Sequence, residues 1–250
     1  MTYDGANAFL DLVARKLDDN PRSRQRALGP SEVGHPCARW LVYRLAHAPK
    51  GPELPPWRQT VGIAVDELIM GWLAAEPDEW LIHKRVTGGE LLEGQDISGT
   101  FDAYHIPTRT LVDLKCPGPS TMKRFRRASE DPQYRVQVHV YARGLIAAGY
   151  PVDTVAVVRL PSAGELSDAI VKREPYDESI AVKALDRARA VAGLVKSVGT
   201  LAATLMPPTE HYCHRCQYFR PTANDLSIGC PGASGAIKQD PTMGGLIVPK

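Results

Sequence analysis

The chain carries almost no excess charge: 30 Lys and Arg stand against 28 Asp and Glu, a formal net of +2 over 250 residues. A near-neutral total gives no prediction of a polyanionic partner, so any case for nucleic acid has to rest on local patches. No stretch reaches the roughly 18 uncharged apolar residues that mark a membrane-spanning helix. The start, MTYDGANAFLDLVARKLDDN, places acids in an amphipathic pattern where a secretory leader has a basic and then an apolar segment. The expectation is a soluble, cytoplasmic protein with no membrane partner. Internal repeats are absent and low-complexity sequence is scarce. Apolar residues make up 44%, enough to bury one sizeable core, in one domain with appendages or in two tight lobes. Five cysteines are an odd number, and in a reducing compartment spaced cysteines more often bind metal or sit buried than form disulfides.

Phe9, Leu10, Val13 and Leu17 predict a helix over 6–17, followed by a polar loop whose Arg22, Arg24 and Arg26 are either solvated or a DNA contact. Residues 37–46 resume a helix with Trp40, Leu41 and Leu45 on its stripe, which the prolines of APKGPELPPW end. Val61, Val65, Leu68 and Trp72 predict a helix over 59–75, with Asp66 off the stripe. Alternating runs at 81–87, 97–106 and 110–116 read as antiparallel strands, the last two joined through 107–109 as a tight hairpin. A helix over 132–148, a strand over 152–160, an edge strand over 168–174 and an Ala-rich helix over 177–205 follow. This order makes an α/β or α+β fold, a mixed sheet flanked by helices.

Within LVDLKCPG, residues two apart on a strand share a face, so Asp113 and Lys115 point together, while Val112, Leu114 and Cys116 point to the other side and Cys116 leans toward the core. An acid-x-Lys tripeptide is weak evidence alone. The hairpin, however, brings Asp102 beside Asp113, and two carboxylates so close raise each other's pKa unless a hard cation such as Mg²⁺ or Mn²⁺ lies between them. The bland alternative is a pair of exposed strand acids with Lys115 as a surface salt-bridge partner. The 59–75 helix offers Asp66 or Glu67 as a third acid, and the 132–148 helix sets Gln137 and Tyr141 on one face with Tyr134 a turn earlier. Lys123, Arg124, Arg126, Arg127 and Arg135 surround Phe125. Such a cluster either neutralises phosphates, with Phe125 or Tyr134 stacking on an unpaired base, or is a solvated helix face.

Cys213 and Cys216 form a C-x-x-C unit, with Cys230 downstream and Cys37 far upstream. Four thiolates suit structural zinc or an iron–sulfur cluster, and His35, His211 and His214 leave mixed Cys/His zinc ligation open. Cys116 as a nucleophile would need a base such as His105 or His139, but strand parity aims it away from Asp113 and Lys115.

Taken in order, Gly99-x-x-Asp102, Asp113-x-Lys115 and Gln137-x-x-x-Tyr141 resemble the PD-(D/E)xK nuclease superfamily, and within it the RecB-like exonucleases, including the iron–sulfur nucleases of CRISPR adaptation (Cas-four). Gly62 to Asp66 is similar to the family's G-x-x-x-H helix, with Asp where the family usually has a metal-binding His. Ser31, Cys37, Arg39 and Tyr43 look like the segment that leads into its core. The resemblance covers 31–232, leaving 1–30 as an N-terminal helix and basic loop and 233–250 as a flexible tail. It implies a restriction-endonuclease-like core in which Asp102, Asp113, the Leu114 carbonyl and Asp66 or Glu67 hold Mg²⁺ or Mn²⁺. Lys115 would orient the attacking water or stabilise developing charge, with Gln137 and Tyr141 positioning the strand. It also favours a 4Fe–4S cluster over zinc on Cys37, Cys213, Cys216 and Cys230, although the gap from Cys216 to Cys230 exceeds the family's commonest spacing. Joining Cys37 to Cys213 would close a loop of about 177 residues, worth roughly 5 kcal/mol at most by the chain-entropy relation for disulfides. The implied activity is DNA hydrolysis from single-stranded ends in recombination, repair or spacer capture, and a phage genome is one fitting source, which would put the protein in the host cytoplasm. The rival reading is a non-catalytic nucleic-acid-binding module stapled by zinc.

Overall fold

A computed structural model describes residues 5–18, 27–51, 57–127, 131–209 and 213–233. Arg22, Arg24, Arg26, His211, the side chain of His214 and the tail after 233 lie outside the described residues. The chain forms two compact units, Met1–Gly34 with Leu54–Leu185, and His35–Glu53 with Asp186–Lys250.

In the first unit the helices α1 (Gly5–Asp18), α2 (Pro30–Val33) and, beyond the second unit's α3 (Ala38–Leu45), α4 (Trp57–Leu73) precede the strands. Strands β1 (Trp80–Ile82), β4 (Ala103–His105), β5 (Thr110–Lys115), β6 (Thr154–Arg159) and β7 (Ile170–Pro175) build one sheet in the order β1-β4-β5-β6-β7. Strands β2 (Arg85–Leu92) and β3 (Gln95–Thr100) form a separate ladder. The β5–β6 pair is parallel and its other neighbours antiparallel, so the sheet is mixed, as expected. A parallel pair needs a crossover, supplied by α5 (Pro119–Arg127) and α6 (Pro132–Ala147). Asp131 starts α6 by accepting a hydrogen bond from the Tyr134 amide, with Pro132 in the first turn where its missing donor costs nothing.

Two expected strands are each split. The 97–106 run breaks at Phe101 and Asp102, and the 81–87 run breaks opposite it at His83 and Lys84. The His83 amide donates to the Asp102 carbonyl (3.0 Å) and the Phe101 amide to that of Lys84 (3.3 Å), so both chains leave one ladder for the other at the same level. Periodicity does not register this, because the switch preserves alternation while it buries Phe101 among Tyr104, Leu111, Val138, Tyr141, Leu145 and Val155. Helix α6 lies on β2: a Cβ on Gly88 would sit 2.4 Å from the Val140 side chain and 2.7 Å from its carbonyl oxygen. Gly88→Ala is therefore expected to lose about 1–3 kcal/mol of stability, read as a lower melting temperature in thermal unfolding.

In the second unit Cys37 stands at the N-cap of α3, and Tyr43 donates to the Leu226 carbonyl at 2.7 Å. The Gly51 amide donates to the Gln217 carbonyl at 2.7 Å, and Arg187 to the His35 and Pro36 carbonyls, so residues 35–51 are bonded to the chain beyond 186. The long Ala-rich helix α7 (Glu178–Val198) ends earlier than expected, at Gly199 with φ +60°, and continues as 3-10 turns to Leu205. By length and composition alone 178–205 could cross a membrane, but Ala181, Ala184, Leu185 and Ala188 recur as buried residues at helical spacing, which a core helix also shows.

Candidate acidic site and cysteine cavity

Strand β5 buries Leu111 and Asp113 on the face that α6 covers. Asp113 is only 2% exposed, and Cys116, expected to lean into the core, is the half-buried one. The reversal arises because α6 packs over the face carrying the carboxylate, and because β5 ends before Cys116. Gln137 donates through Nε2 to Asp113 Oδ1 at 2.7 Å. Lys115 Nζ lies 2.7 Å from Oδ2 in a close ion pair, the one near partner of that oxygen. The same ammonium donates to the Leu114 carbonyl at 3.3 Å and stands 5.1 Å from the Tyr134 ring centroid.

Asp102 lies one residue beyond the β4–β5 ladder and accepts the Leu114 amide on Oδ2 at 2.6 Å. Burial, and next the Asp113 charge, push its pKa up to about 7 against the pull of Lys115 and of that amide. Burial also raises Asp113, although Lys115 and Arg159 oppose it. Burial would lower Lys115, but the Asp113 and Asp102 charges outweigh it and hold the ammonium above its usual range. Asp66 on α4 adds to the rise of both acids. Tyr141 is buried, and its hydroxyl would lie 2.8 Å from a Cβ on Gly99, which explains a glycine there. Glu67 is exposed.

Sequence reasoning missed two residues. His83, held at φ +47° where β1 gives way to β2, places Nε2 3.3 Å from Asp66 Oδ2. It lay inside the single run expected at 81–87, so no signal in the sequence marked it. Arg159, 3% exposed at the end of β6, pairs across the ladder with Lys115 and stacks on Phe125 at 4.1 Å.

Of the expected nucleic-acid contacts, Lys123, Arg126 and Arg127 are exposed on α5 and Arg124 is half-buried beside Phe125. Arg126 is paired with Asp168, and Arg135 grips Glu174 through two 2.6 Å bonds. Phe125 is 5% exposed between Arg159 and Tyr134, so it is a core ring rather than a platform for a base. Tyr134 is half-buried beside Lys115. His105 is bonded to Thr108, and His139 to Glu174 and the Asp177 amide.

In the second unit Cys37, Cys213, Cys216 and Cys230 line one cavity of about 20 Å³. Burial first, then the other three cysteines, push the Cys216 thiol up to about 11. Cys230 Sγ accepts the Gly232 amide at 3.4 Å and faces Arg39 at 4.0 Å. His35 stacks on Trp40 (4.2 Å) and accepts the Cys37 amide on Nδ1. Among the described residues no three His, Cys, Asp or Glu side chains converge tightly enough to grip an ion as they stand. The donor set nevertheless fits a thiolate-held group, since four sulfurs share one cavity and one of them accepts N–H bonds of the kind that tune such thiolates. The acidic site fits a hard cation on the evidence of Asp113 Oδ2, a buried carboxylate oxygen beside a second acid whose one near partner is the Lys115 ammonium.

No protein-family model matches the chain, and no curated protein matches it in sequence. Among solved structures, the crystal structure of SSO0001 is similar with a TM-score of 0.50 at 14% identity, over 92% of this chain and 98% of that one, a likeness of fold. The alkaline exonuclease LHK-Exo from Laribacter hongkongensis gives 0.49 at 12% identity, over 74% of this chain and 97% of its own. Its complex with dAMP gives 0.48 at 13%, over 73% and 96%.

Proposed function

We propose that the chain is a metal-dependent deoxyribonuclease whose reaction is centred on Asp113. The observation that carries this reading is the surroundings of that carboxylate. A buried carboxylate beside a second acid costs stability unless it is fully bonded, and such costs are tolerated mostly at functional sites. Gln137 fixes Oδ1, leaving Oδ2 and the Leu114 carbonyl sharing one ammonium. The sequence resemblance assigns those same two oxygens to the cation, so Lys115 occupies the ground that a divalent ion would take.

Asp102, Asp113, the Leu114 carbonyl and Asp66 would hold Mg²⁺ or Mn²⁺, which supplies Lewis acidity toward a phosphate oxygen. Lys115, turned away from Asp113, would orient water or meet charge developing on the phosphate. Gln137 is a positioning residue, keeping Asp113 in one rotamer. Lys123 and Arg127 would neutralise backbone phosphates, and Tyr134 would offer a ring edge. The resemblance extends the reading to an exonuclease acting on single-stranded ends in recombination, repair or spacer capture.

The cysteine cavity would carry a 4Fe–4S cluster, with zinc as the alternative, clasping residues 35–53 to the C-terminal segment. Cys37→Ser is expected to strip the iron and lower solubility; full iron content with an unchanged melting temperature would remove the assignment. The enzyme itself is tested with end-labelled single-stranded DNA and Mn²⁺. Degradation by the natural chain and none by Asp113→Ala is expected. Equal degradation by both would overturn the site, and DNA binding without cleavage in any divalent metal would favour the zinc-stapled binding module.

A further inference from the structure

On the face of the sheet that carries Asp113, a second cavity of about 140 Å³ opens between α6, β6 and β7. One water needs only ~10–15 Å³ on such a measure, so a phosphate group fits. Its floor is three valines and its wall is charged: Arg135, Arg159, Lys172 and Arg173 against Asp131 and Glu174. Glu174 is committed elsewhere, gripped by Arg135 and bonded to His139, and Asp131, although its charge acts on Arg159, also caps α6. Four cations thus face two acids in the cavity wall, and one of the four, Arg159, is buried.

Arg159 is 3% exposed, and its Nε has no hydrogen-bond partner. Phe125 covers the guanidinium face at 4.1 Å but supplies no acceptor. Leaving a buried guanidinium nitrogen unbonded is costly, and an anion with several acceptor oxygens removes that cost. Position identifies the anion. The β5–β6 register sets Arg159 beside Lys115 and Val157 beside Asp113, and β6–β7 sets Lys172 beside Val157. With strands ~4.8 Å apart, Arg159 and Lys172 lie one and two strands from the acids, along one face, while Arg173, which pairs with Ala156, lines the cavity from the edge strand.

We infer that this cavity binds a phosphate of the nucleic-acid strand neighbouring the one hydrolysed, with Arg159 as the buried ligand and Lys172 and Arg173 at its mouth. The identity of the polymer rests on the proposed nuclease reading; the phosphate chemistry does not.

The experiment uses the full chain without divalent metal, so that binding is read apart from cleavage. Anisotropy of a labelled oligonucleotide is followed with inorganic phosphate as competitor, and inorganic phosphate alone is tested by its effect on melting temperature. Phosphate is expected to displace the oligonucleotide and to raise the melting temperature. Arg159→Met is expected to weaken both about tenfold. Because Arg159 is buried, the exposed double variant Lys172→Gln/Arg173→Gln provides the second reading: weaker binding, with a shallower salt dependence by about one to two counterions. Failure of phosphate to act on the natural chain, or unchanged binding in both variants, would overturn the pocket even if Mn²⁺-dependent cleavage is found. Phosphate binding that is lost in the variants would uphold it even if no DNA is cleaved.

Discussion

Lys115→Ala is expected to keep, or improve, Mn²⁺ binding while losing about 10²–10³-fold in single-turnover cleavage; Asp113→Ala is expected to lose both. The split follows from the two contacts of one ammonium. Lys115 Nζ stands 2.7 Å from Asp113 Oδ2 and donates to the Leu114 carbonyl, the two oxygens assigned to the cation. Removing the lysine takes away a competitor for those oxygens, so the ion should bind at least as well, whereas the charge needed at the phosphate is gone. Removing Asp113 takes away the ligand and leaves Gln137 and Lys115 with nothing to hold between them. Mn²⁺ binding measured by electron paramagnetic resonance, beside cleavage of labelled single-stranded DNA, separates the effects. A lysine variant that lost metal and rate together would mean that Lys115 only keeps the site in shape.

Asp102→Asn should make the metal-free protein more stable at pH 8 and leave it nearly unchanged near pH 4. The carboxyl titrates at about 7 in the folded chain because it is buried next to Asp113, against ~3.9 for an unfolded aspartate. Between those values the folded state holds a proton that the unfolded state lacks. Its contribution to stability is thus complete below ~4 and is lost as the pH rises through 7. Asparagine keeps the shape and the acceptor for the Leu114 amide without the charge. His139, which burial lowers, acts in the opposite sense on acidification, so the informative quantity is the difference between the two proteins at each pH. Mn²⁺ at pH 8 should reverse the order, raising the melting temperature of the natural chain by several degrees more than that of the variant. A difference independent of pH would show that Asp102 is not the group that titrates.

The strand carrying Asp113 and Lys115 was legible in the sequence because a two-residue period and a short hairpin are local properties, and the same locality placed Asp102 beside them. Gln137 and Tyr141 were legible as a pair one helical turn apart, but the bond from Gln137 to Asp113 was not, since it depends on where the crossover helix lands. That landing also decided which face of β5 is covered, and so reversed the expected burial of Asp113 and Cys116. The break at Phe101 escaped notice because a strand that changes partners keeps its alternation. Arg159 escaped for a related reason: a charged residue ending a Val-rich strand reads as the strand's exposed edge, and only the packing of Phe125 turns it inward. The four cysteines could be grouped by spacing, but their sharing of one cavity is a tertiary fact.

The second unit is assembled from residues 35–53 and 186–250, which has a consequence during synthesis. Its two strings of sequence leave the ribosome separated by the whole acidic sheet, so the sheet can fold while the unit's first helix has no partner. At ~5–20 residues per second, Cys37 waits about nine to thirty-five seconds for Cys213 to be made. During that interval a thiol later enclosed in a cavity is open to oxidants and to stray metal.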